Sequence, residues 1–223
     1  MWCIGQITHE YRHRMYDLLA LYARRFDPRE PVVCIDEKSL QLIGHSRAPL
    51  PMSPGVIARH DYEYVRRGTA NLFVAVETKA GQRAVSVTER RGKVDFVAFI
   101  TSLLGGAYAR AHRVHLVLDN LNTHFRKCFE DVLGQRAADK LLRRVQFHYT
   151  PRHASWLNMA EIEIGILNRQ CLDRRLADRQ TLRCEIEQWQ LARNQTRQTI
   201  EWKFTRQDAD RKFGRHYVSL FSW

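Results

Sequence analysis

The stretch His115-Leu-Val-Leu-Asp119-Asn-Leu-Asn-Thr-His124 determines how we interpret this chain. An apolar run ends at a carboxylate, and the polar residues that follow cannot continue the same buried strand. Pro31-Val-Val-Cys-Ile-Asp36-Glu-Lys38 has the same form, with an aspartate at the end of an apolar run. The two segments therefore predict two strands that each end at an aspartate, and these two aspartates can lie side by side.

A third acidic residue lies near the start of a predicted helix, in Ser155-Trp-Leu-Asn-Met-Ala-Glu161-Ile-Glu163. The first residue of this segment is a suitable N-cap. At 3.6 residues per turn, Asn158, Glu161 and Gly165 share one polar stripe of the helix. Glu163 points about 200° away from Glu161. We therefore favour Glu161 over Glu163 as the third acidic residue of the site.

Three carboxylates on three elements suit hard divalent cations such as Mg²⁺ and Mn²⁺, whereas structural zinc would need cysteine and histidine. Carboxylates a few ångströms apart repel one another, so such a site needs cations. Two ions about 3.5–4 Å apart stabilise the attacking and leaving oxygens of a phosphoryl transfer. We predict two Mg²⁺ ions, replaceable by Mn²⁺, with Asp36 as the shared ligand and Asp119 and Glu161 each holding one side.

The amino-acid composition restricts the class of binding partner and the cellular compartment that we expect. The chain has 223 residues, 44% of them hydrophobic, and can bury a full core. Its net charge of +12 is spread over the whole length and favours a polyanionic partner, with nucleic acid first. Five cysteines without a C-x-x-C pair argue against a disulfide framework. No apolar run approaches the roughly 20 residues of a membrane span, so we expect a cytoplasmic protein without a membrane partner.

The order of the predicted elements is that of an α/β domain with a mixed sheet. After an amphipathic helix within residues 7–24, the predicted strands cover 32–35, 71–77, 83–88, 114–118 and 145–149. Further helices are predicted at 94–104, within 125–142, at 156–171 and at 181–196, the last of them capped by Thr181. Residues 44–68, with three of the six prolines, indicate an irregular insertion with hairpin character.

These segments resemble the DDE transposases of the insertion sequence 630 family, relatives of the Tc/mariner transposases. The resemblance rests on Asp36-Glu-Lys-Ser, on Asp119-Asn-Leu-Asn-Thr-His124 and above all on Tyr149-Thr-Pro-Arg-His-Ala-Ser-Trp-Leu-Asn-Met-Ala-Glu161. Shorter matches extend it over nearly the whole chain: Asn71-Leu-Phe, Gln170-Cys-Leu-Asp-Arg-Arg175 and Trp202-Lys-Phe-Thr205. It implies an RNase H-like fold, a mixed five-stranded sheet flanked by helices, with Asp36, Asp119 and Glu161 as the metal-binding triad.

The organisation that we expect is an N-terminal linker helix in residues 1–30, the catalytic domain in 31–175 and a helical extension in 176–223 packed on that domain. Two features depart from the family. The 41 residues between Asp119 and Glu161 exceed the usual interval, and we attribute the excess to a helical insertion. The chain also begins about 30 residues before its first catalytic strand, where relatives carry helix-turn-helix modules, so we expect a catalytic domain or a truncated copy.

A second group of candidates surrounds the triad. Asn120, Asn122, His124 and Asn158 can orient ligands or contact a phosphate, although the asparagines after Asp119 can equally cap a following helix. For DNA contact we select seven further residues: Lys38, Arg66, Arg67, Arg152, His153, Trp156 and Arg169.

Trp156 and a pair of histidines can each be interpreted in two ways. The indole of Trp156 can stack on a base beside the site or belong to the core. His112 and His115 form an H-x-x-H pair, which we interpret as ordinary surface and edge residues rather than as a zinc site.

The resemblance implies a transposase catalytic domain that cleaves double-stranded DNA at transposon ends and transfers the strand to target DNA in the bacterial cytoplasm. A homodimer on DNA is the assembly that we consider. Two alternatives remain open: a DNA-binding transposase remnant without activity, and another RNase H-like nuclease or integrase. The intact triad speaks against the first alternative, and the Trp156-Leu-Asn-x-x-Glu161 segment speaks against the second.

Overall fold

A mixed five-stranded sheet forms the centre of the computed structural model, which describes residues 6–59, 61–119 and 126–218. The strands are β1 (Val32–His45), β2 (Tyr64–Glu77), β3 (Gln82–Thr88), β4 (Val114–Leu118) and β5 (Val145–Tyr149). Their order across the sheet is β3-β2-β1-β4-β5. The first three strands are antiparallel neighbours, whereas β4 runs parallel to both β1 and β5. The predicted α/β class with a mixed five-stranded sheet is confirmed.

Helices cover both faces of this sheet. In the described residues they are α1 (His9–Ala23), α2 (Lys93–Gly105), α3 (Arg126–Leu133), α4 (Gln135–Leu142), α5 (Ala160–Leu167), α6 (Arg179–Gln195) and α7 (Arg206–Phe213). Side chains of α2, α3 and α4 pack on one face, and those of α1, α5, α6 and α7 pack on the other. None of the helices that the structure describes is both long and apolar enough to cross a bilayer.

The first four residues of β1, 32–35, are apolar without alternation because both faces of the sheet are covered there. Val33 and Ile35 pack with α2, α3 and α4, whereas Cys34 packs with α1. Successive side chains of a strand point to opposite faces. Asp36 is two residues after Cys34, so its side chain lies on the face that carries α1 and α5.

Strands β1 and β2 continue beyond the rest of the sheet. Residues 39–45 and 64–70 form a two-stranded β1–β2 ribbon, with a register shift between Gln41 and Ile43. We expected the first strand at 32–35 and the irregular insertion at 44–68. Both predictions therefore ended β1 before His45, its last residue in the structure. The irregular connection is limited to residues between the two strands, and those that the structure describes at 46–59 are exposed.

Three helix boundaries also differ from expectation. The helix predicted at 156–171 begins at Ala160, with Met159 rather than Ser155 as its N-cap, because Ser155–Leu157 form a separate 3₁₀ turn, and it passes into a π-helical turn at Asn168. The last long helix begins at Arg179 because Asp178, rather than Thr181, is its N-cap. The Asp178 carboxylate accepts the Thr181 N–H at 2.8 Å. The region predicted to hold one helix within 125–142 contains α3 and α4, separated at Gly134. That glycine has a φ of 79°, a left-handed conformation that glycine adopts without a steric penalty.

Helix α1 lies directly on the sheet. Its buried side chains are Met15, Leu18, Leu19, Leu21 and Tyr22. The Tyr22 hydroxyl also donates a hydrogen bond to the Leu157 carbonyl at 2.7 Å. The helix that we predict as a linker therefore supplies part of the core and supports the turn before α5.

One histidine prediction is wrong. His112 is exposed as expected, but His115 in β4 is only 3% exposed. Its Nδ1 lies 2.9 Å from Nε2 of His148 on β5, and the other nitrogen of His148 lies 2.6 Å from a carboxylate oxygen of Asp17. Burial lowers the pKa of His115, with the neighbouring charges of His148 and Arg24 adding to the effect. These contacts tie α1 to the two strands.

Glu77, at the end of β2, should make stability depend on pH. Burial raises its pKa from 4.5 to about 7, against a hydrogen bond from Tyr108 that lowers it. Between these two values the folded state binds more protons than the unfolded state, so the free energy of unfolding should fall as the pH rises. Urea unfolding between pH 4.5 and 7.5 should show a weaker pH dependence for Glu77→Gln than for the wild type. Identical slopes would contradict this assignment.

Candidate active site

The parallel pairing of β1 and β4 places Asp36 and Asp119 at the same level of the sheet. Cys34 is paired with Val117, and the same register continued by two residues sets Asp36 opposite Asp119. Neighbouring strands lie about 4.7–4.9 Å apart, and side chains at matching positions point to the same face. The two predicted aspartates therefore meet beside the carboxyl end of β4. Asp36 lies within β1, which continues to His45, so the prediction that its strand ends at the aspartate is wrong.

Asn158 joins the start of α5 to β1 beside these aspartates. Its Nδ2 donates a hydrogen bond to the Ile35 carbonyl at 2.8 Å, and its Oδ1 accepts the Ala160 N–H at 3.1 Å. The Glu161 N–H donates to the Asn158 carbonyl at 3.1 Å. Asn158 is 1% exposed. Its buried amide caps the start of α5 and at the same time acts as a tether between this helix and β1. This tether holds Glu161 near Asp36, the residue that follows Ile35.

The electrostatics of Asp36 agree with three neighbouring carboxylates. The pKa of Asp36 is raised from 3.8 to about 7, mainly by burial and in part by the negative charges of Glu161 and Asp119. A hydrogen bond from the Glu37 N–H at 2.8 Å acts in the opposite direction. Because such charge effects weaken with distance, Glu161 and Asp119 both lie close to Asp36. Three acidic residues from β1, from the end of β4 and from α5 thus share one region.

This donor set fits a hard divalent cation, which carboxylate oxygens prefer. Like charges disfavour ionisation of Asp36, and a cation would reverse that effect. Among residues 6–59, 61–119 and 126–218, no three aspartate, glutamate, histidine or cysteine side chains lie in an arrangement that could hold a metal ion as it stands. The three carboxylates would therefore have to move closer together on binding a cation. Asn120, Asn122 and His124 lie outside the described residues, so their proposed roles stay predictions.

Glu163, the rival of Glu161, has a different environment. It is fully buried and accepts hydrogen bonds from Arg83 on β3 and Arg193 on α6, with an Nε–Oε1 distance of 2.9 Å in both pairs. The Arg83 side chain is likewise fully shielded from solvent, and its Nη groups donate to three main-chain carbonyls and to the second oxygen of Glu163. Glu161, in contrast, is exposed. The Glu163 side chain therefore clamps α5 to the sheet and to α6, and Glu161 is left on the accessible side of the helix.

Residues 151–157, which we call the crossing segment, lead from β5 across the end of β4 to α5. At one end the Thr150 N–H donates to the Leu118 carbonyl at 2.9 Å, and at the other end Asn158 is bound to β1. Three of the predicted DNA-binding residues are exposed on this segment: Arg152, His153 and Trp156. His153 has a φ of 61°, which is uncommon for a residue other than glycine.

The other four predicted DNA-binding residues lie on β1, on the ribbon and after α5. Lys38 is partly exposed and lies two residues after Asp36, on the same face of β1. Arg66 and Arg67 are exposed on the β1–β2 ribbon. Arg169 is exposed in the π-helical turn that follows α5. The structure therefore brings Lys38 and the crossing segment next to the carboxylates and places Arg66 and Arg67 farther along the ribbon.

Several arginines that support the site cannot be identified from the sequence. Besides Arg83 and Arg193, Arg175 donates hydrogen bonds to the carbonyls of Asp61 and Glu63, at 2.6 and 2.8 Å, and so fastens the end of the β1–β2 ribbon. In the sequence these residues resemble any other basic residue of a chain with +12 net charge. Only their burial and their partners distinguish them from arginines that face DNA.

Together these features define an RNase H-like domain with an acidic site beside the carboxyl end of β4. The sequence model of the DDE superfamily endonucleases matches residues 31–183, and the chain belongs to this family. The resemblance to DDE enzymes is thereby confirmed, whereas membership of the insertion sequence 630 family stays a hypothesis. Comparison with curated proteins gave no match.

Solved structures of the mariner transposase Mos1 have the same fold. The Mos1 paired-end complex with Mn gives a TM-score of 0.53 at 15% identity, covering 89% of this chain and 60% of that chain. The complex with the left transposon end gives 0.54 at 16%, covering 86% and 58%. The strand transfer complex gives 0.53 at 16%, covering 84% and 55%. At such identities the similarity concerns the fold, and this chain spans about three fifths of the Mos1 chains.

The two glutamates of α5 should respond differently to loss of charge. Glu163→Gln should lower the free energy of unfolding by about 3–5 kcal/mol because it leaves buried guanidinium groups without their carboxylate. Glu161→Gln should change it by less than about 0.5 kcal/mol, since this side chain is exposed. Urea denaturation followed by circular dichroism measures both values. A larger loss for Glu161→Gln than for Glu163→Gln would show that the two roles are reversed.

Proposed function

We propose that this chain is the catalytic domain of a DDE transposase, which cleaves DNA strands at transposon ends and joins the freed 3′-hydroxyl to target DNA. The observation that carries the proposal is the proximity of Asp36, Asp119 and Glu161 in a chain of the DDE endonuclease superfamily. The shared fold with Mos1 complexes that contain transposon ends supports it.

We further propose that the three carboxylates hold two Mg²⁺ ions, with Mn²⁺ able to replace them. Asp36 would be the shared ligand, and Asp119 and Glu161 would each hold one side. When bound, such ions stabilise charge on the attacking and leaving oxygens of a phosphoryl transfer. Mos1 complexes with Mn and with Mg support this choice.

The chain's own residues prepare the site for this chemistry. The raised pKa of Asp36 means that its proton must leave before the carboxylate can act as a ligand. Asn158 fixes the start of α5, so Glu161 need not be ordered at the moment of binding. Lys38 on β1 and Arg152 on the crossing segment add positive charge near the carboxylates and are suited to hold the phosphates of the bound strand.

A homodimer on DNA is the assembly that we propose. The connection between β1 and β2 exposes several large apolar side chains: Leu50, Met52, Val56, Ile57 and Tyr62. Monomeric proteins rarely expose such a group together. Arg175 and the Arg47–Asp61 ion pair hold the connection in place, which supports a pre-formed surface for a second copy.

Removal of any one triad carboxylate should abolish metal-dependent cleavage. Asp36→Asn, Asp119→Asn and Glu161→Gln should each reduce nicking of supercoiled plasmid at least about 100-fold, and double variants should lose little more because the three residues act as a unit. Folding and DNA binding should be retained.

The matched control for this series is Glu187→Gln, which removes one exposed carboxylate from α6 and should leave nicking unchanged. Wild-type protein that binds DNA but shows no nicking in Mg²⁺ or Mn²⁺ would favour the inactive remnant over the transposase.

DNA binding should depend steeply on salt because phosphate contacts release counterions. For Z contacts, log K should fall with log salt at a slope of roughly 0.9Z. Arg152→Gln should reduce this slope by about one contact, whereas Arg136→Gln, on the exposed side of α4 on the other face of the sheet, should not. Fluorescence anisotropy between 50 and 300 mM salt, at roughly 25 °C, measures the slopes. Binding that is insensitive to salt would contradict an electrostatic DNA surface.

A further inference from the structure

The edge of the sheet opposite the carboxylates is strongly basic. Strands β1, β4 and β5 are parallel, so the connections that precede them meet at this amino-terminal edge. These connections are residues 24–31, 106–113 and 143–144. They contain seven arginines and two acidic residues, Asp27 and Glu30, which leaves a net charge of +5. A large part of the total charge of +12 therefore lies at one edge of the folded chain.

The two acidic residues of this edge are occupied by neighbouring groups. The Glu30 carboxylate forms an ion pair with Arg24, whose guanidinium also lies 2.8 Å from a ring nitrogen of His115. The Asp27 carboxylate accepts the Arg29 N–H at 2.8 Å and lies 3.6 Å from the guanidinium of the same residue. Each acidic residue thus offsets the charge of one arginine.

Four further arginines of this edge are exposed, and no carboxylate in the described part of the chain forms an ion pair with them. They are Arg25, Arg110, Arg113 and Arg143, and we call them the amino-edge surface. The fifth remaining arginine, Arg144, donates hydrogen bonds to carbonyls of the second connection, so its guanidinium supports the backbone there.

Main-chain hydrogen bonds hold the three connections together. The Arg29 carbonyl accepts the N–H groups of His112 and Arg113, at 2.8 and 3.2 Å, which joins the first connection to the second. The Arg144 carbonyl accepts the Val114 N–H at 2.7 Å, which joins the third connection to the second. The backbone of the amino-edge surface is therefore pre-formed, and little of it has to be ordered when a ligand binds.

The chemistry of this surface selects the kind of partner. Guanidinium groups match the geometry of phosphate oxygens and bind them in pairs of hydrogen bonds. Phe26 is the one large apolar side chain that is exposed on the three connections, so the surface lacks the apolar centre of a protein–protein interface. The connections also contain no helix or strand that could enter a groove of DNA. These properties fit the phosphate backbone of a duplex, bound without regard to base sequence.

A duplex that lies at the carboxylates cannot also reach the amino-edge surface. Strand β4 runs from one edge to the other and has five residues, which at about 3.3 Å per residue span roughly 17 Å. Duplex DNA has a persistence length of about 150 base pairs, so wrapping it around a body of this size would cost a large bending energy. DNA at the amino-edge surface must therefore be a different segment.

We propose that the amino-edge surface binds the phosphates of a second duplex segment, so that one copy of the chain holds two DNA segments at opposite edges of its sheet. The proposal rests on the proposed function, because it takes DNA at Asp36, Asp119 and Glu161 as the first segment. The second segment is held far from the carboxylates and is not cleaved.

A bridging experiment tests this proposal. One duplex is fixed to beads and saturated with the protein in Ca²⁺, so that DNA binds without being cleaved, and a fluorescent duplex of unrelated sequence is then added. The wild type should retain the fluorescent duplex on the beads. The double variant Arg110→Gln/Arg113→Gln should retain at least about fivefold less of it because two phosphate contacts are lost. The same variant should nick supercoiled plasmid in Mg²⁺ at the wild-type rate.

The matched control lowers the net charge by the same amount elsewhere. Arg136→Gln combined with Gln188→Glu changes two exposed positions, on α4 and on α6, and should retain as much fluorescent duplex as the wild type. An equal loss in this control would show that net charge alone is responsible and would overturn the proposal.

Chemical protection of the wild-type protein gives a second measurement, which decides the question if the double variant does not fold. Phenylglyoxal modifies accessible arginines, and mass spectrometry locates the modified residues. Saturating duplex DNA should prevent modification of Arg110 and Arg113 and should leave Arg136 reactive. Unchanged reactivity of Arg110 and Arg113 would contradict DNA binding at the amino-edge surface.

The outcomes separate this proposal from the proposed function. If the wild type nicks plasmid but retains no fluorescent duplex, the amino-edge surface does not bind DNA and the proposed function stands. Bridging by two copies of the chain, each with one duplex at its carboxylates, would be insensitive to Arg110→Gln/Arg113→Gln and would also overturn the proposal. If the wild type does not bind even the first duplex, both fail together.

Discussion

One hydrogen bond, from the side-chain amide of Asn158 to the carbonyl of Ile35, is the contact on which the arrangement of this site depends. Because Asn158 is buried, its polar groups need partners inside the protein, and loss of one would leave the other unsatisfied. The partners are the strand that carries Asp36 and the first turn of the helix that carries Glu161. A single amide thereby converts two independent elements into one acidic site.

A second constraint acts on the same helix from its other side. The negative charge of Glu161 raises the pKa of Asp36, and repulsion between the two like charges tends to move Glu161 away from Asp36. Glu163 opposes this movement because its buried pairs with Arg83 and Arg193 hold α5 against β3 and α6. Two glutamates two residues apart thus have separate functions: one stabilises the position of the helix, and the other is accessible to ligands. The difference arises from environment, since the two side chains are chemically identical.

Much of the site follows from local sequence patterns. Apolar runs predict the two strands that carry or precede Asp36 and Asp119, and helical periodicity distinguishes Glu161 from Glu163, because both depend only on residues close in sequence. The long-range contacts cannot be predicted from local sequence patterns. Nothing near Arg83 in the sequence indicates that it pairs with Glu163, 80 residues away. The extension of β1 depends in the same way on its pairing with β2, and the burial of His115 depends on His148 from a neighbouring strand.

The central claim is that carboxylates from β1, from the end of β4 and from α5 form one metal site. The most direct measurement is X-ray diffraction from crystals of this chain soaked in Mn²⁺, with data collected near the manganese absorption edge. The account predicts two anomalous peaks among the carboxylates of Asp36, Asp119 and Glu161, with Asp36 touching both ions. Peaks at other acidic groups and none at these three, in crystals with the carboxylates accessible, would contradict it.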